Sequence, residues 1–562
     1  MRRTLRPASV ALFTVVLVLA ACQGSASESP SGSGAPSGGG AATGGTVRIG
    51  YGGSPDSLNP GLALLSEAFT IYELVYDTPI AINSDGTYVP ELATDWSVSE
   101  DGLTWTMHLV DNAVFHDGTP LTSEDVKFSI ETYRDNVDFP YQSSYPDVFT
   151  SVEAPDPTTV VLTTEEPVGN FEYRMVFMYV LPKHIWESED PLTFDNAALI
   201  GSGPFKLVEY SQDEFVHLAA VKDHWNIIPN VDEVIFQTFS NADARVAALT
   251  NGDIDMITEF PLTALSALKG TANVKVVESS AIGGSLRDVF FDVMDPADCP
   301  SDGGVCSGHP ALRDLEVRQA LAKAVDKQQI IDVATLGTAA PGLSLVPIGL
   351  GDFYLGNQTD YAFDVDAANQ QLEDAGYRDT NGDGIRECKA GQGCVDLTFR
   401  FAYPDDIDTA PREAELLDAM WGAIGVDLQI TSLDADTLTS ICCPAFDYDV
   451  ILWGWGSDPD PQFLLGVPTC DGIESGFNET GYCNPAYDDL YAQQAVETDH
   501  ATRVGIVHDM QQMLVDDVVY LVPYYPKDVQ AYRTDAFTGW HEGPTGFGLD
   551  DIASLGFIRP VD

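Results

Sequence analysis

Val395-Asp396-Leu397-Thr398-Phe399-Arg400-Phe401 alternates apolar and polar side chains with period two, the pattern of a half-buried strand. Leu416, Leu417, Met420, Trp421 and Ile424 then share one helical stripe, and Val426, Leu428 and Ile430 alternate again. A strand, a helix and a strand in this order form a βαβ unit, which requires a parallel pair and a right-handed crossover. Tyr448 to Trp453 is the next strand candidate. Ligands of open α/β sheets collect beyond the carboxyl ends of the strands. The loop Gly454 to Pro461 is therefore expected to border a binding site in an α/β fold.

Outward from this unit the chain keeps alternating strand-like and helix-like segments, without an internal repeat. Val47 to Gly50 reads as the first strand. Thr104 to Val110 places Trp105, Met107 and Leu109 on one face and Thr104, Thr106 and His108 on the other. After the Asp117-Gly118 turn, Thr122 or Ser123 can cap a helix whose first turn carries Glu124 and Asp125, where the helix dipole favours acids. Val126, Ile130 and Tyr133 form its apolar stripe.

The amino-terminal residues read as a targeting segment. Arg2, Arg3 and Arg6 precede the uncharged run Val10 to Ala21, too short for a permanent span and of signal-peptide length. The run ends in Leu19-Ala20-Ala21-Cys22, which resembles a bacterial lipobox, so residues 1–21 are expected to be cleaved and Cys22 lipidated. Residues 22–45, rich in Gly, Ser, Ala and Pro, would be a flexible tether. The body is thereby expected outside the cell, anchored to the outer face of the cell membrane.

Formal charge is -59 from 86 acids against 27 bases, and loss of the signal makes it more negative. Nucleic acid and anionic headgroups need basic surfaces and are disfavoured. Solubility, halophilic solvation or a cationic ligand would each suit such a composition. Nine cysteines leave eight once Cys22 carries lipid, an even set that suits disulfides in an oxidising compartment. Cys299 with Cys306 and Cys388 with Cys394 can close short loops. Cys442, Cys443, Cys470 and Cys483 would pair among themselves, the vicinal bond being least favoured. Structural zinc lacks any CxxC, and no metal or other cofactor is expected.

Catalytic motifs are also missing: there is no GxSxG, HExxH or GxxxxGK. Asp379-x-Asn381-x-Asp383-Gly384 begins like a calcium loop and has Glu387 at the ninth place, but Ala390 stands where a bidentate acid should close the shell. A tight turn stapled by Cys388 and Cys394 fits better. His116 beside Asp117 is read as a hydrogen-bonding residue, and the chain as no enzyme.

Pro90-Glu91-Leu92-Ala93-Thr94-Asp95-Trp96, Ser99-Glu100-Asp101-Gly102-Leu103-Thr104-Trp105-Thr106 and Phe115-His116-Asp117-Gly118-Thr119-Pro120 resemble the peptide and nickel class of ABC importer binding proteins, solute-binding protein family 5. Gly201-Ser202-Gly203-Pro204-Phe205, Asn251-Gly252-Asp253-Ile254-Asp255, Val317-Arg318-Gln319-Ala320-Leu321, Asn381-Gly382-Asp383-Gly384 and Trp455 to Pro461 follow in the family's order. The resemblance implies a two-lobed, three-part fold of the periplasmic-binding-protein type II, with a hinge and an interlobe cleft. Residues 46–73, 201–283 and 523–562 would form the first lobe, 74–200 a small inserted domain and 284–522 the second lobe.

It further implies a monomer that captures a small solute, with a di- or oligopeptide as leading ligand, for an ABC permease and its ATPase subunits. An oligosaccharide, a chelated metal, or a role as a non-transport sensor or interaction lipoprotein are the alternatives. Peptide-binding members set an aspartate three places after a tryptophan against the ligand's α-ammonium group, and Asp458 has that spacing from Trp455. Asp458 and Asp460 could equally shape a turn with Pro459 and Pro461. Trp453 and Trp455 are expected to face opposite ways, with Trp455 toward the cleft. Tyr403 and Tyr51, each at a strand end, would border the same cleft or serve core or rim roles.

Overall fold

A computed structural model describes residues 43–561 except Ser84, 280–283, 357–359 and 543–547. The expected signal segment, Cys22 and nearly all of the expected tether lie outside the described residues. No described helix is long and apolar enough to cross a membrane.

Two sheets organise the body. The first has seven strands in the order Val274–Ser279, Asp528–Arg533, Met256–Ile257, Thr46–Tyr51, Glu233–Thr238, Phe215–Ala220 and Phe205–Ser211. Thr46–Tyr51 runs parallel to both neighbours. The second has six strands in the order Ala339–Pro341, Tyr520–Pro526, Ser285–Phe291, Val450–Gly456, Thr398–Pro404 and Asp427–Leu433. A separate four-stranded antiparallel sheet, from Ala93–Val98 to Thr159–Thr164, is packed with helix Ser123–Asp135.

The βαβ unit forms where the alternation places it. Thr398–Pro404 pairs in parallel with Asp427–Leu433 and with Val450–Gly456, and helix Ala410–Gly422 makes the crossover. Leu397, Phe399, Phe401, Leu417, Trp421 and Ile424 are buried in one cluster. Two expectations shift at its margins. Val395 precedes the strand and is 81% exposed, and Ile430 is 38% exposed because its strand is the sheet edge, with one flank unpaired. On the helix after Asp117-Gly118, Thr122 and Asp125 form a reciprocal capping box, and Val126, Ile130 and Tyr133 are sealed.

Family motifs lie at structural corners. His116 joins Phe115-His116-Asp117 to Gly201-Ser202-Gly203 through a hydrogen bond between its Nε2 and the Gly203 carbonyl (2.9 Å). Burial lowers the imidazole to about 4, so it stays neutral. A Cβ at Gly201 would come within 2.0 Å of the Val75 carbonyl oxygen, so only glycine permits this approach.

The chain passes between the two sheets twice, from Val274–Ser279 to Ser285–Phe291 and from Tyr520–Pro526 to Asp528–Arg533. The second passage turns on Lys527. Residue 523, the expected start of the first lobe's tail, falls inside a strand of the six-stranded sheet.

Four disulfides are formed among the described residues. Cys299–Cys306 and Cys388–Cys394 close short loops as expected. Against expectation, Cys442 bonds to its neighbour Cys443. The reason is that two helix starts meet elsewhere: the Cys470 N–H donates to Asp488 (3.2 Å), bringing the Cα atoms of Cys470 and Cys483 to 4.5 Å and joining those sulfurs to each other. Cys442 and Cys443, ending helix Ala435–Cys442, are left to one another. In the acidic turn, Asp379 accepts from the Gly382 and Gly384 N–H groups, and Glu387 from Thr380 and Asn381. Its carboxylates are thus occupied in shaping the loop.

Candidate functional site

Strand Val450–Gly456 delivers the loop Ser457 to Pro461 to the carboxyl edge of the six-stranded sheet. Its two aspartates have different fates. Asp460 is buried and gripped by Arg503, Nη1 donating to Oδ2 (2.6 Å) and Nη2 to Oδ1 (2.7 Å). Oδ1 also accepts the Gln462 N–H (2.9 Å), which starts helix Gln462–Gly466. The turn-shaping role therefore belongs to Asp460.

Asp458 is half-buried, and among the described residues it forms no ion pair. Burial raises its pKa, opposed by a hydrogen bond from Tyr173 and reinforced by the charge of Asp460. Tyr173 lies on the short helix Phe171–Val176, far away in sequence. Its ring meets Tyr145 edge-on at 5.6 Å, and Tyr145 stacks on Phe177 at 5.2 Å. The Tyr88 hydroxyl donates to the Pro459 carbonyl (3.3 Å). An aromatic wall from outside the six-stranded sheet thus closes over the aspartate loop.

One cavity borders the loop and another lies along the strand that leads into it. The first, of about 490 Å³, is walled by Tyr88, Trp96, Glu172, Phe353, Pro459 and the Asp460–Arg503 pair. The other, of about 320 Å³, is walled by Trp453, Trp455, Phe477, Glu479 and the Cys442–Cys443 disulfide. That both tryptophans line one cavity corrects the expected split. Residues two apart on a strand point to the same side of the sheet, and Trp453 and Trp455 accordingly pack on one cluster. The Trp455 indole N–H donates to Glu479 Oε2 (2.9 Å), and its ring meets Phe463 edge-on at 5.6 Å.

The two tyrosines stand apart from these walls. Tyr403 ends strand Thr398–Pro404, half-buried against the second-sheet core. Tyr51 is buried, donates to Asp550 Oδ2 (2.6 Å) and lines a third cavity of about 510 Å³ with Glu67, Glu259, Lys527 and Gln530. Arg503, Tyr173, Tyr145 and Tyr88 carry no motif that marks them in the sequence. Their roles come from packing across long chain separations.

The model for "Bacterial extracellular solute-binding proteins, family 5 Middle" matches residues 87–472. The chain belongs to this family. It is 25% identical over 525 residues to the dipeptide-binding protein of Escherichia coli K12, covering 87% of this chain and 92% of that protein. It is 25% identical over 536 residues to the oligopeptide-binding protein AppA of Bacillus subtilis 168, covering 92% and 93%. Among solved structures, the ABC transporter substrate binding protein CtaP of Listeria monocytogenes superposes with a TM-score of 0.77 at 26% identity, covering 92% of this chain and all of that one. As a family 5 member the chain has the two-lobed α/β fold of periplasmic binding proteins, and its family is one of binding proteins rather than enzymes.

Proposed function

We propose that this chain captures a peptide outside the cell and presents it to an ABC importer, with Asp458 receiving the peptide's α-ammonium group. The observation that carries the reading is the contrast between two aspartates on one loop. Arg503 neutralises Asp460, whereas Asp458 has no ion-pair partner among the described residues and lies half-buried at the carboxyl edge of a parallel pair. A cationic amine entering there gains a charge-assisted hydrogen bond worth about 1.5 to 3 kcal/mol. The names of the E. coli and B. subtilis relatives support a peptide over an oligosaccharide or chelated metal.

On this reading the two sheets belong to lobes that close over the ligand by hinge motion where the chain passes between them, Lys527 marking one such passage, with residues 74–200 as an inserted domain. Trp455 contributes an apolar wall, and Tyr51 and Tyr403 border the cleft from their own strands. Cleavage before Cys22 and lipidation there would hold the monomeric body on the outer face of the membrane, within reach of the permease and its ATPases. Calorimetry with one tripeptide and its N-acetylated twin tests the ligand assignment. Acetylation is expected to weaken binding at least tenfold, and equal affinities would overturn the role of Asp458.

A further inference from the structure

Two buried acids, Glu479 in the wall of the Trp453–Trp455 cavity and Asp288 on the strand paired with that of the tryptophans, form no ion pair among the described residues. Strand Ser285–Phe291 pairs antiparallel with Val450–Gly456, setting Asp288 directly opposite Trp453 and Leu286 opposite Trp455. Cross-strand partners share a face, so Asp288 lies beneath the same tryptophan pair. It is fully buried, and neither carboxylate oxygen has a hydrogen-bond partner. In front of it Glu479 lines the cavity and accepts from Trp455. The neighbours acting on Glu479 are Asp288, Trp455 and Tyr520, none of them a cation. Arg287, next along the strand, points to the other face, where it bonds Tyr524 and approaches Glu413 at 3.5 Å.

Two buried acids without an ion-pair partner are costly when ionised. Burial raises both carboxyl groups here; the charge of Asp288 raises Glu479 further, while Arg287 partly offsets the rise at Asp288. In a purely structural core such a pair would persist only by holding protons. The walls argue for an occupant instead. Trp453, Trp455 and Phe477 present aromatic faces, which attract cations through the ring quadrupole, and the Cys442–Cys443 disulfide adds an apolar side. A flat or compact cation fits both features together.

We propose that this cavity is a subsite for a cationic side chain of the bound ligand, a guanidinium or ammonium group that meets Glu479 directly and the charge of Asp288 behind it. The assignment rests on the peptide reading above and names its substrate class as peptides bearing arginine or lysine. Asp458 takes the backbone amine, and the tryptophan cavity three residues upstream takes the side-chain charge. The sieve is electrostatic: citrulline has nearly the shape of arginine but no charge.

The test uses the full chain and calorimetry with tri-alanine and tripeptides in which arginine, or citrulline in its place, is walked through the three positions. At one position arginine is expected to bind at least tenfold more tightly than citrulline. In Glu479→Gln that preference should fall below twofold while the citrulline peptide binds as before. The wild-type comparison stands even if the variant fails to fold. If tri-alanine binds and no arginine position improves on citrulline, or if the preference survives Glu479→Gln, the cationic subsite is wrong and the peptide reading stands. If neither tri-alanine nor any arginine or citrulline peptide binds, the peptide reading falls and the subsite falls with it.

Discussion

Arg503 holds Asp460 in a two-pronged ion pair, both side chains being about 2% exposed, and Arg503 Nε reaches back to the Gln494 carbonyl at 3.2 Å. The pair ties helix His500–Asp517 to the loop after strand Val450–Gly456. It also makes the two loop acids unequal, since one is neutralised and the other is not.

Removing the guanidinium leaves Asp460 buried and unpaired. Arg503→Ala should lower unfolding stability by about 3 to 5 kcal/mol. Arg503→Lys, which keeps the charge and loses the fork, should lie between. Urea titrations followed by tryptophan fluorescence measure both, and an unchanged midpoint in the alanine variant would show that the pair contributes nothing.

Asp458→Asn removes a charge that burial already disfavours. The ligand-free protein should therefore melt no lower than wild type. Binding of a free-amine peptide should weaken roughly ten- to a hundredfold, by loss of a charge-assisted bond, whereas the N-acetylated twin should be unaffected. A matched loss for both peptides would mean that the variant perturbs the cleft as a whole.

Stability should fall as pH rises from about 4 to 8. Burial pushes Asp292 up to about 8 and Asp551 up to about 7, while unfolded aspartates titrate near 3.9. Between these values the folded state binds more protons than the unfolded one, so the contribution is complete at the acid end and is lost as pH climbs through the folded values. Melting temperatures from pH 5 to 8.5 should slope downward. Asp292→Asn should flatten that slope, and the paired comparison separates this group from general self-repulsion in so acidic a chain. An identical slope in the variant would remove Asp292 from the account.

The Cys470–Cys483 bond closes a loop with a sequence separation of 13. Chain entropy assigns such a loop about 3 kcal/mol. A Cys470→Ala, Cys483→Ala double variant should lose about that much in chemical denaturation. Removing the shorter Cys388–Cys394 loop should cost less.

Local periodicity carried the reading wherever neighbours along the chain decide the outcome. The alternation from Leu397 to Phe401 and the stripe through Leu417, Trp421 and Ile424 specify a βαβ unit because a strand and a helix each repeat within a few residues. The capping box at Thr122 and Asp125 is equally local. The rule is strict even where it is easily misapplied: Trp453 and Trp455 share a face because they are two residues apart. Ile430 followed its period and still met solvent, since no pattern within a strand says that it will be the last in its sheet.

Residue patterns alone specify the α/β class, the strand that presents the aspartate loop and the even set of eight cysteines. Tertiary structure alone decided that Arg503 takes Asp460 and leaves Asp458 to Tyr173. It also paired Cys470 with Cys483 and set Asp288 beneath Trp453 beside Glu479. Hydrogen bonds, disulfides and buried charges act over a few ångströms, and residues tens to hundreds of positions apart come that close only when the whole chain has packed.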